Sequence, residues 1–543
     1  MNLEIILSMA GGLGLFLFGM RVMSESIEKV AGAKLRQILE QLTTNRFKGI
    51  LVGIIFTAII QSSSACTVMV VSFVNSGLMT LYQAAGVIFG ANIGTTVTSL
   101  LVSFKLEKIA PVILLMGVIL VMFCKKQKIT KFGEIIVGFG ILFMGLSTMS
   151  SAMSGMKDSP AVLNMFASLK APILAVLLGT VLTAVIQSSS VTVSIMVLMA
   201  NQELLGLDMC MFIILGCNIG ACTSALLASL TGKKDAKRAA SIHLIFNVIG
   251  TVLVYIIFRL DVHQIVGILV RIAHNDAGRV VAYAHIAIKL FQVIIMSPFI
   301  GAIVKLTYVL VPGDDKKIGY RDSHQLKYIG EKVVFNPATA VVEVIKELDR
   351  MASLASENLN RAMNALITLD EEEIAEVHEV EENIDFLSHA ITDYLVKINQ
   401  TTLPIEDLKS IGALFHVVND IERIGDHAEN IVNAAERRNE TGVSFSKDAQ
   451  ADLGLMLDMV NTMLRFSLEM FVRSSEEHGE DVTNLGEAID EKEKELQQKH
   501  LERLTNNECT PEAGVLFSDI ISGLERVAEH AINIAFATLA ADS

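Results

Sequence analysis

Two short runs of uncharged polar residues interrupt otherwise apolar sequence: Gln61-Ser62-Ser63-Ser64 and Gln187-Ser188-Ser189-Ser190. An amide or hydroxyl in hydrocarbon without a partner is costly, and the backbone around it must be satisfied too, so a ligand, water or neighbouring helix has to meet each run. Serines cap broken helices, and a half-helix whose N-terminal amides point at the membrane midplane is an anion site. The hydroxyl and amide oxygens of the same run also suit Na⁺, a hard cation that needs oxygen ligands and no formal charge. Thirty residues on, each run is followed by a second tract, Gly90-Ala91-Asn92-Ile93-Gly94 and Gly216-Cys217-Asn218-Ile219-Gly220. The plainer alternative is that the hydroxyls bond back to their own helices and the glycines serve close helix packing. Duplication at equal spacing favours a ligand site over packing alone.

The elements that carry these tracts are apolar and doubled. Gly53–Ser103 aligns without a gap onto Gly179–Ser229, with 20 of 51 positions identical, the mark of an internal repeat. From Gly49 to Phe104 there are 56 consecutive residues without Asp, Glu, Lys or Arg, enough for more than one membrane passage. Further apolar runs cover Ile109–Phe123, Phe132–Met149, Ala171–Asn201, Met209–Leu230, Ala239–Phe258 and Val280–Val311, the last interrupted by His285, Lys289 and Lys305. The run Ile5–Met20 has no basic residue before it and Arg21 after it, which reads as a first membrane anchor rather than a signal peptide. Lys29, Lys34, Arg36, Arg46 and Lys48 precede the first repeat, and Lys233, Lys234, Lys237 and Arg238 follow the second. Basic loops stay inside, so the repeats are expected to be antiparallel and the second half cytoplasmic.

Composition divides the 543 residues in the same way. Residues 1–313 hold 23 Lys+Arg against 12 Asp+Glu, the remainder 21 against 46, for a net charge of -14. That contrast excludes a single globular enzyme, and the acidic soluble half excludes a nucleic-acid partner. The six cysteines form no CxxC pair with a His or Cys cluster, so neither a redox nor a zinc role is expected. Walker loop, dinucleotide fingerprint and nucleophile elbow are all lacking, so no enzyme is expected.

Past Pro312-Gly313-Asp314-Asp315 the pattern becomes amphipathic helices with acidic faces. This half is doubled as well: Ile421–Ile431, IERIGDHAENI, corresponds to Leu524–Ile534, LERVAEHAINI. Glu422, Asp426 and Asn430, like Glu525, Glu529 and Asn533, fall at steps of four and share a helix face. With Glu381, Asp385, Asp490 and Glu491 on neighbouring helices, such faces could hold Mg²⁺, Mn²⁺ or iron, or be solvated acidic faces paired to Arg423 and Arg526. Two three-helix units, about 338–440 and 447–538, are the natural division.

The paired QSSS tracts, each followed by a GxNIG tract, resemble the sodium/phosphate cotransporter family of type II and its bacterial relatives. The resemblance implies Na⁺-coupled transport of inorganic phosphate. It places the substrate and sodium sites at Gln61, Ser62, Ser63, Ser64, Gln187, Ser188, Ser189 and Ser190, with Asn92, Thr95, Thr96 and Asn218 as further candidates. The second copy has Ala221-Cys222 where the first has Thr95-Thr96, so any oxygen ligand there is one-sided. Neither repeat core holds Lys or Arg, so the anion's charge is expected to be balanced by helix dipoles and co-bound sodium. The duplicated ExxxD-type helices resemble the PhoU family of cytoplasmic phosphate regulators. That likeness implies a metal, divalent or iron, at Glu422, Asp426, Glu525, Glu529, Glu381 and Asp385. Glu529 stands where Asp is usual, and Lys494 corresponds to Asp385, which weakens the second site.

The expected fold is all-α. A polytopic membrane domain (1–312) carries two inverted repeats (about 49–104 and 175–230) with re-entrant or broken helices. A linker (313–337) leads to a soluble PhoU-like pair of three-helix bundles (338–540). The expected setting is the cytoplasmic membrane, with lipid around the first half, a regulatory protein at the second, and a homo-oligomer left open. Phosphate export, or phosphate sensing without transport, remains the alternative.

Overall fold

The structure is a computed structural model that describes residues 3–43, 45–155, 171–230, 232–313, 324–329, 337–401 and 405–537. Among these every regular element is a helix. The chain divides into two compact units, Met1–Asp315 with Lys332–Thr339, and Lys316–Glu331 with Ala340–Ser543.

The first unit contains α1 (Leu3–Leu42), α2 (Arg46–Ile60), α3 (Ser63–Asn75), α4 (Leu81–Gly94), α5 (Thr96–Ser103), α6 (Ala110–Phe123) and α7 (Gln127–Ser154). It continues with α8 (Pro172–Ile186), α9 (Ser189–Asn201), α10 (Leu207–Gly220), α11 (Thr223–Ser229), α12 (Lys234–Ile272), α13 (Ala277–Met296) and α14 (Ile300–Leu310). Among the described residues six spans are long and apolar enough to cross a membrane, among them Leu81–Ser103 and Leu207–Ser229. By contrast α2, α3, α8 and α9 have 15, 13, 15 and 13 residues. At 1.5 Å per residue each reaches only about 20 Å, short of a hydrocarbon core of about 30 Å. The QSSS tracts lie where these half-length helices meet.

The half-helices are held by backbone contact. α2 packs on α4 and α8 on α10, so closely that a Cβ on Gly53 would run into the Val87 carbonyl oxygen and one on Gly90 into that of Ile50. In the second repeat Gly179 meets the Ile213 carbonyl and Gly216 that of Val176 in the same way. The first and last glycines of the GxNIG tracts are thus packing residues, as the plainer alternative had it.

The two repeats exchange elements. α5 of the first packs on α9 of the second, and α11 of the second on α3 of the first. Even single hydrogen bonds recur: Asn75 Oδ1 accepts the Lys233 N–H at 2.8 Å, and its counterpart Asn201 accepts that of Gly278 at 2.9 Å. Each asparagine thereby ties the end of a half-helix to the start of a long one.

The second unit holds most of α15 (Pro337–Thr368) together with α16 (Glu371–Asn399), α17 (Ile405–Thr441), α18 (Lys447–Arg473), α19 (Gly479–Thr505) and α20 (Pro511–Phe536). The repeat-equivalent helices α17 and α20 pack against each other, with the His427 and His530 rings 6.0 Å apart.

Gly90→Ala and Gly216→Ala each drive a methyl into a carbonyl, and overpacking of this kind costs about 1–3 kcal/mol. We expect both to lower the monodisperse yield in size-exclusion chromatography, whereas Gly14→Ala, where a Cβ meets nothing within 4 Å, leaves it unchanged.

Candidate functional site

Both QSSS tracts take the same backbone shape. After α2, Gln61 is left-handed (φ 60°, ψ 23°) and its N–H closes the helix on Thr57 O. Ser62 is extended, and its hydroxyl accepts the Ala65 N–H at 3.1 Å, capping α3. In the second tract Gln187 (φ 58°, ψ 24°) closes α8 on Thr183 O, and Ser188 accepts the Val191 N–H at 3.4 Å to cap α9. A left-handed glutamine carries a steric cost that glycine would avoid. Both repeats accept it, and both set a polar side chain at the break. The first N–H groups of α3 and α9 have no partner within their own helices, so each break presents amide donors and a positive dipole end.

The two breaks meet. The Ser64 hydroxyl lies 3.5 Å from the carbonyl oxygen of Gln187, 123 positions away. Gln61 to Ser64 are half-buried, Gln187 is exposed, Ser188 is half-buried, and Ser189 and Ser190 are buried. Thr98 of α5 donates to Gln61 Oε1 at 2.9 Å, while Gln61 Nε2 donates to Ala58 O at 2.5 Å. Thr98 thus ties the first break to α5, the helix that also packs on α9, a role its spacing did not reveal.

The weaker candidates are held by partners of their own or buried. Asn92 Nδ2 donates to Ile88 O at 2.9 Å, and its Oδ1 accepts from Lys289 Nζ at 2.6 Å. Thr96 bonds back to Ile93 O at 2.7 Å, and Thr95 is buried at the α4–α5 junction. Asn218 is fully buried, with neither amide atom hydrogen-bonded. Lys289 brings a basic side chain that neither repeat core contains in its own sequence. It belongs to α13, beyond both repeats in sequence, yet it reaches into the first GxNIG tract and also donates to Asn247 Oδ1 at 3.1 Å. Its signal was the interruption of the Val280–Val311 run. One turn earlier, His285 Nδ1 lies 2.8 Å from the Ser99 hydroxyl.

In the second unit acidic groups gather around Glu381. This side chain is buried, and neither carboxylate oxygen has a hydrogen-bond partner. It packs on Gly425, where a Cβ would collide with it. Burial, then Asp385, Asp426, Glu429 and Glu422, pushes its pKa up to about 8. Asp426 is paired to Arg423 at 2.9 Å. Around α20, Glu525 is raised by burial and then by Glu529, Asp490 and Glu493. Among the described residues no three His, Cys, Asp or Glu side chains converge as a metal would require. The first cluster accommodates its charge through burial of a protonated Glu381 and the Arg423 pair.

An unfolded Glu381 ionises near 4.5 and the folded one near 8. Its contribution to stability is therefore complete below 4.5 and is lost as pH rises to about 8. In the full-length protein, far-UV circular dichroism should show thermal stability falling over that interval. Glu381→Gln should flatten the fall and raise the transition at pH 8 by several degrees; an unchanged profile would contradict a buried, protonated Glu381.

Comparison with known proteins agrees with this division. Residues 15–151 and 156–275 match the Na⁺/Pi-cotransporter family, and residues 348–435 and 453–538 match the PhoU domain. "Uncharacterized protein YqeW" of Bacillus subtilis (strain 168) is 29% identical over 311 residues, 57% of this chain and 99% of its own. "Putative inorganic phosphate export protein YjbB" of Escherichia coli (strain K12) is 22% identical over 474 residues, 86% of this chain and 84% of its own. "Sodium-dependent phosphate transport protein 2A" of Rattus norvegicus is 37% identical over 97 residues, 18% of this chain and 15% of its own. With its half-length helices broken at paired QSSS tracts and its doubled acidic bundle, the chain is a membrane protein of the Na⁺/Pi-cotransporter family that carries a C-terminal PhoU region.

Proposed function

We propose that this protein moves inorganic phosphate across the cytoplasmic membrane by alternating access, with Na⁺ as the co-transported ion, and that its PhoU region regulates this movement from the cytoplasmic side. The observation that carries the reading is the approach of Ser64 to Gln187, which joins two equivalent helix breaks in one polar cleft. Phosphate would take amides and hydroxyls of Ser62, Ser63 and Ser64 from one side and of Ser188, Ser189 and Ser190 from the other. Gln61 and Gln187 frame the cleft, and side-chain and carbonyl oxygens there suit Na⁺. Coupling then has a physical cause: a dehydrated anion of charge -1 to -2 lacks compensation without a cation, so the cleft exchanges sides with both ligands or with neither.

The reciprocal packing of α5 on α9 and of α11 on α3, with the basic loops Lys29–Lys48 and Lys233–Arg238, supports an inverted pair of repeats with the PhoU region inside. YjbB, which aligns with 86% of this chain, bears phosphate export in its name, and that favours export as the second reading. The same cleft serves either direction, because gradients set the flux.

Counterflow of labelled phosphate in proteoliposomes tests the reading. Wild type should exchange label with Na⁺ present and at least about tenfold more slowly with choline in its place, and Gln61→Ala should slow exchange by a similar factor. Exchange that is indifferent to Na⁺ over a range of pH would sink sodium coupling. Binding without any exchange would instead establish the sensor.

A further inference from the structure

Lys289 is 1% exposed in the middle of α13. Its Nζ donates to Asn92 Oδ1 at 2.6 Å and to Asn247 Oδ1 at 3.1 Å. The ionisable groups that face it are Cys217, Cys222, His243 and His285, and no carboxylate is among them. An ammonium so placed has two amide oxygens and the C-terminal end of α4, which Asn92 occupies, as its compensation. Neither supplies a full negative charge, and a buried cation without one is costly.

The surroundings lead back to the cleft. One turn before Lys289 on the same face, His285 meets Ser99 at 2.8 Å, and the residue before Ser99 is Thr98, which donates to Gln61. Lys289 is thus joined through α13 and α5 to the first helix break, and through Asn92 to the GxNIG tract of the same repeat. Three residues on, the Gln292 amide is 1% exposed with neither polar atom bonded. A polar seam that includes this lysine runs beside the first helix break, whose own side chains are uncharged.

We propose that Lys289 is the built-in counter-charge of this site: its ammonium supplies part of the positive charge that holds an oxyanion of the phosphate class inside the membrane half, a share that sodium ions would otherwise carry. The assignment rests on the transport reading above and adds to it a specific residue. Contact with the anion is not required, because a charge in a low-dielectric interior acts over a longer distance than in water.

The alternative is that Lys289 only ties α4, α12 and α13 together through its two asparagines. Two substitutions separate these roles. Lys289→Gln removes the charge. Asn247→Asp, isosteric, keeps the bridge and strengthens it, but places a carboxylate against the ammonium and neutralises it in place. Equilibrium binding of labelled inorganic phosphate to the purified full-length protein, at fixed sodium, is the readout. We expect both substitutions to weaken binding at least about tenfold and Lys289→Arg to stay within about threefold of wild type.

Asn247→Asp that binds phosphate within about twofold of wild type would overturn the counter-charge and leave a structural tie. If Lys289→Gln yields no monodisperse protein, Asn247→Asp decides alone. Wild-type protein that bound no phosphate with sodium present would overturn the transport reading and this assignment with it, whereas normal wild-type binding with indifferent variants would overturn the lysine alone.

Discussion

A helix that ends inside hydrocarbon leaves backbone donors and acceptors that must be satisfied where there is no water, and this requirement governs the membrane half. The chain meets it twice with the same device. A left-handed glutamine closes one half-length helix, and an extended serine caps the next. What remains is a pair of helix starts whose first amides have no partner of their own. Ser64 reaches the Gln187 carbonyl, so the two breaks touch, and in the proposed function they face one oxyanion. The surrounding structure fixes the breaks: glycines let α2 and α4, and α8 and α10, touch backbone to backbone, and exchanged helices lock the repeats together.

Much of this was legible in the sequence, for reasons of residue type. A serine run within 56 uncharged residues has few explanations, and its duplication in a second uncharged stretch pointed to both breaks. The role of the glycines was not decidable, since Gly90 serves equally a ligand that needs close approach and a helix that needs close packing, and only the Ile50 carbonyl against it tells them apart. Thr98 and Asn247 were hidden because a lone threonine or asparagine in an apolar helix bears no pattern, and their partners lie 37 and 42 positions away. Lys289 was visible as an interruption, yet its distance from the repeats in sequence concealed that it enters the first one. In the second half the helical face of Glu422 and Asp426 was readable from steps of four. That Glu381 would be the buried member depended on packing against Gly425 that spacing does not encode, whereas the pairing of Asp426 with Arg423 was one of the two readings spacing offered.

The two halves treat charge in opposite ways. Among the described residues the membrane half buries a lysine with histidines and cysteines but no carboxylate around it, whereas the second half crowds carboxylates around Glu381 and pushes its pKa up to about 8. In the proposed function the membrane half takes up an oxyanion, and the ordered helices of the PhoU region provide a surface through which regulation can act.

The central claim, that the two helix breaks form one oxyanion site, is tested most directly by an experimental density map of the protein prepared with phosphate and Na⁺. The account predicts tetrahedral density within hydrogen-bonding reach of Ser62–Ser64 and of Ser188–Ser190 at once. Phosphate bound to one tract alone, or anywhere else in the membrane half, would contradict it.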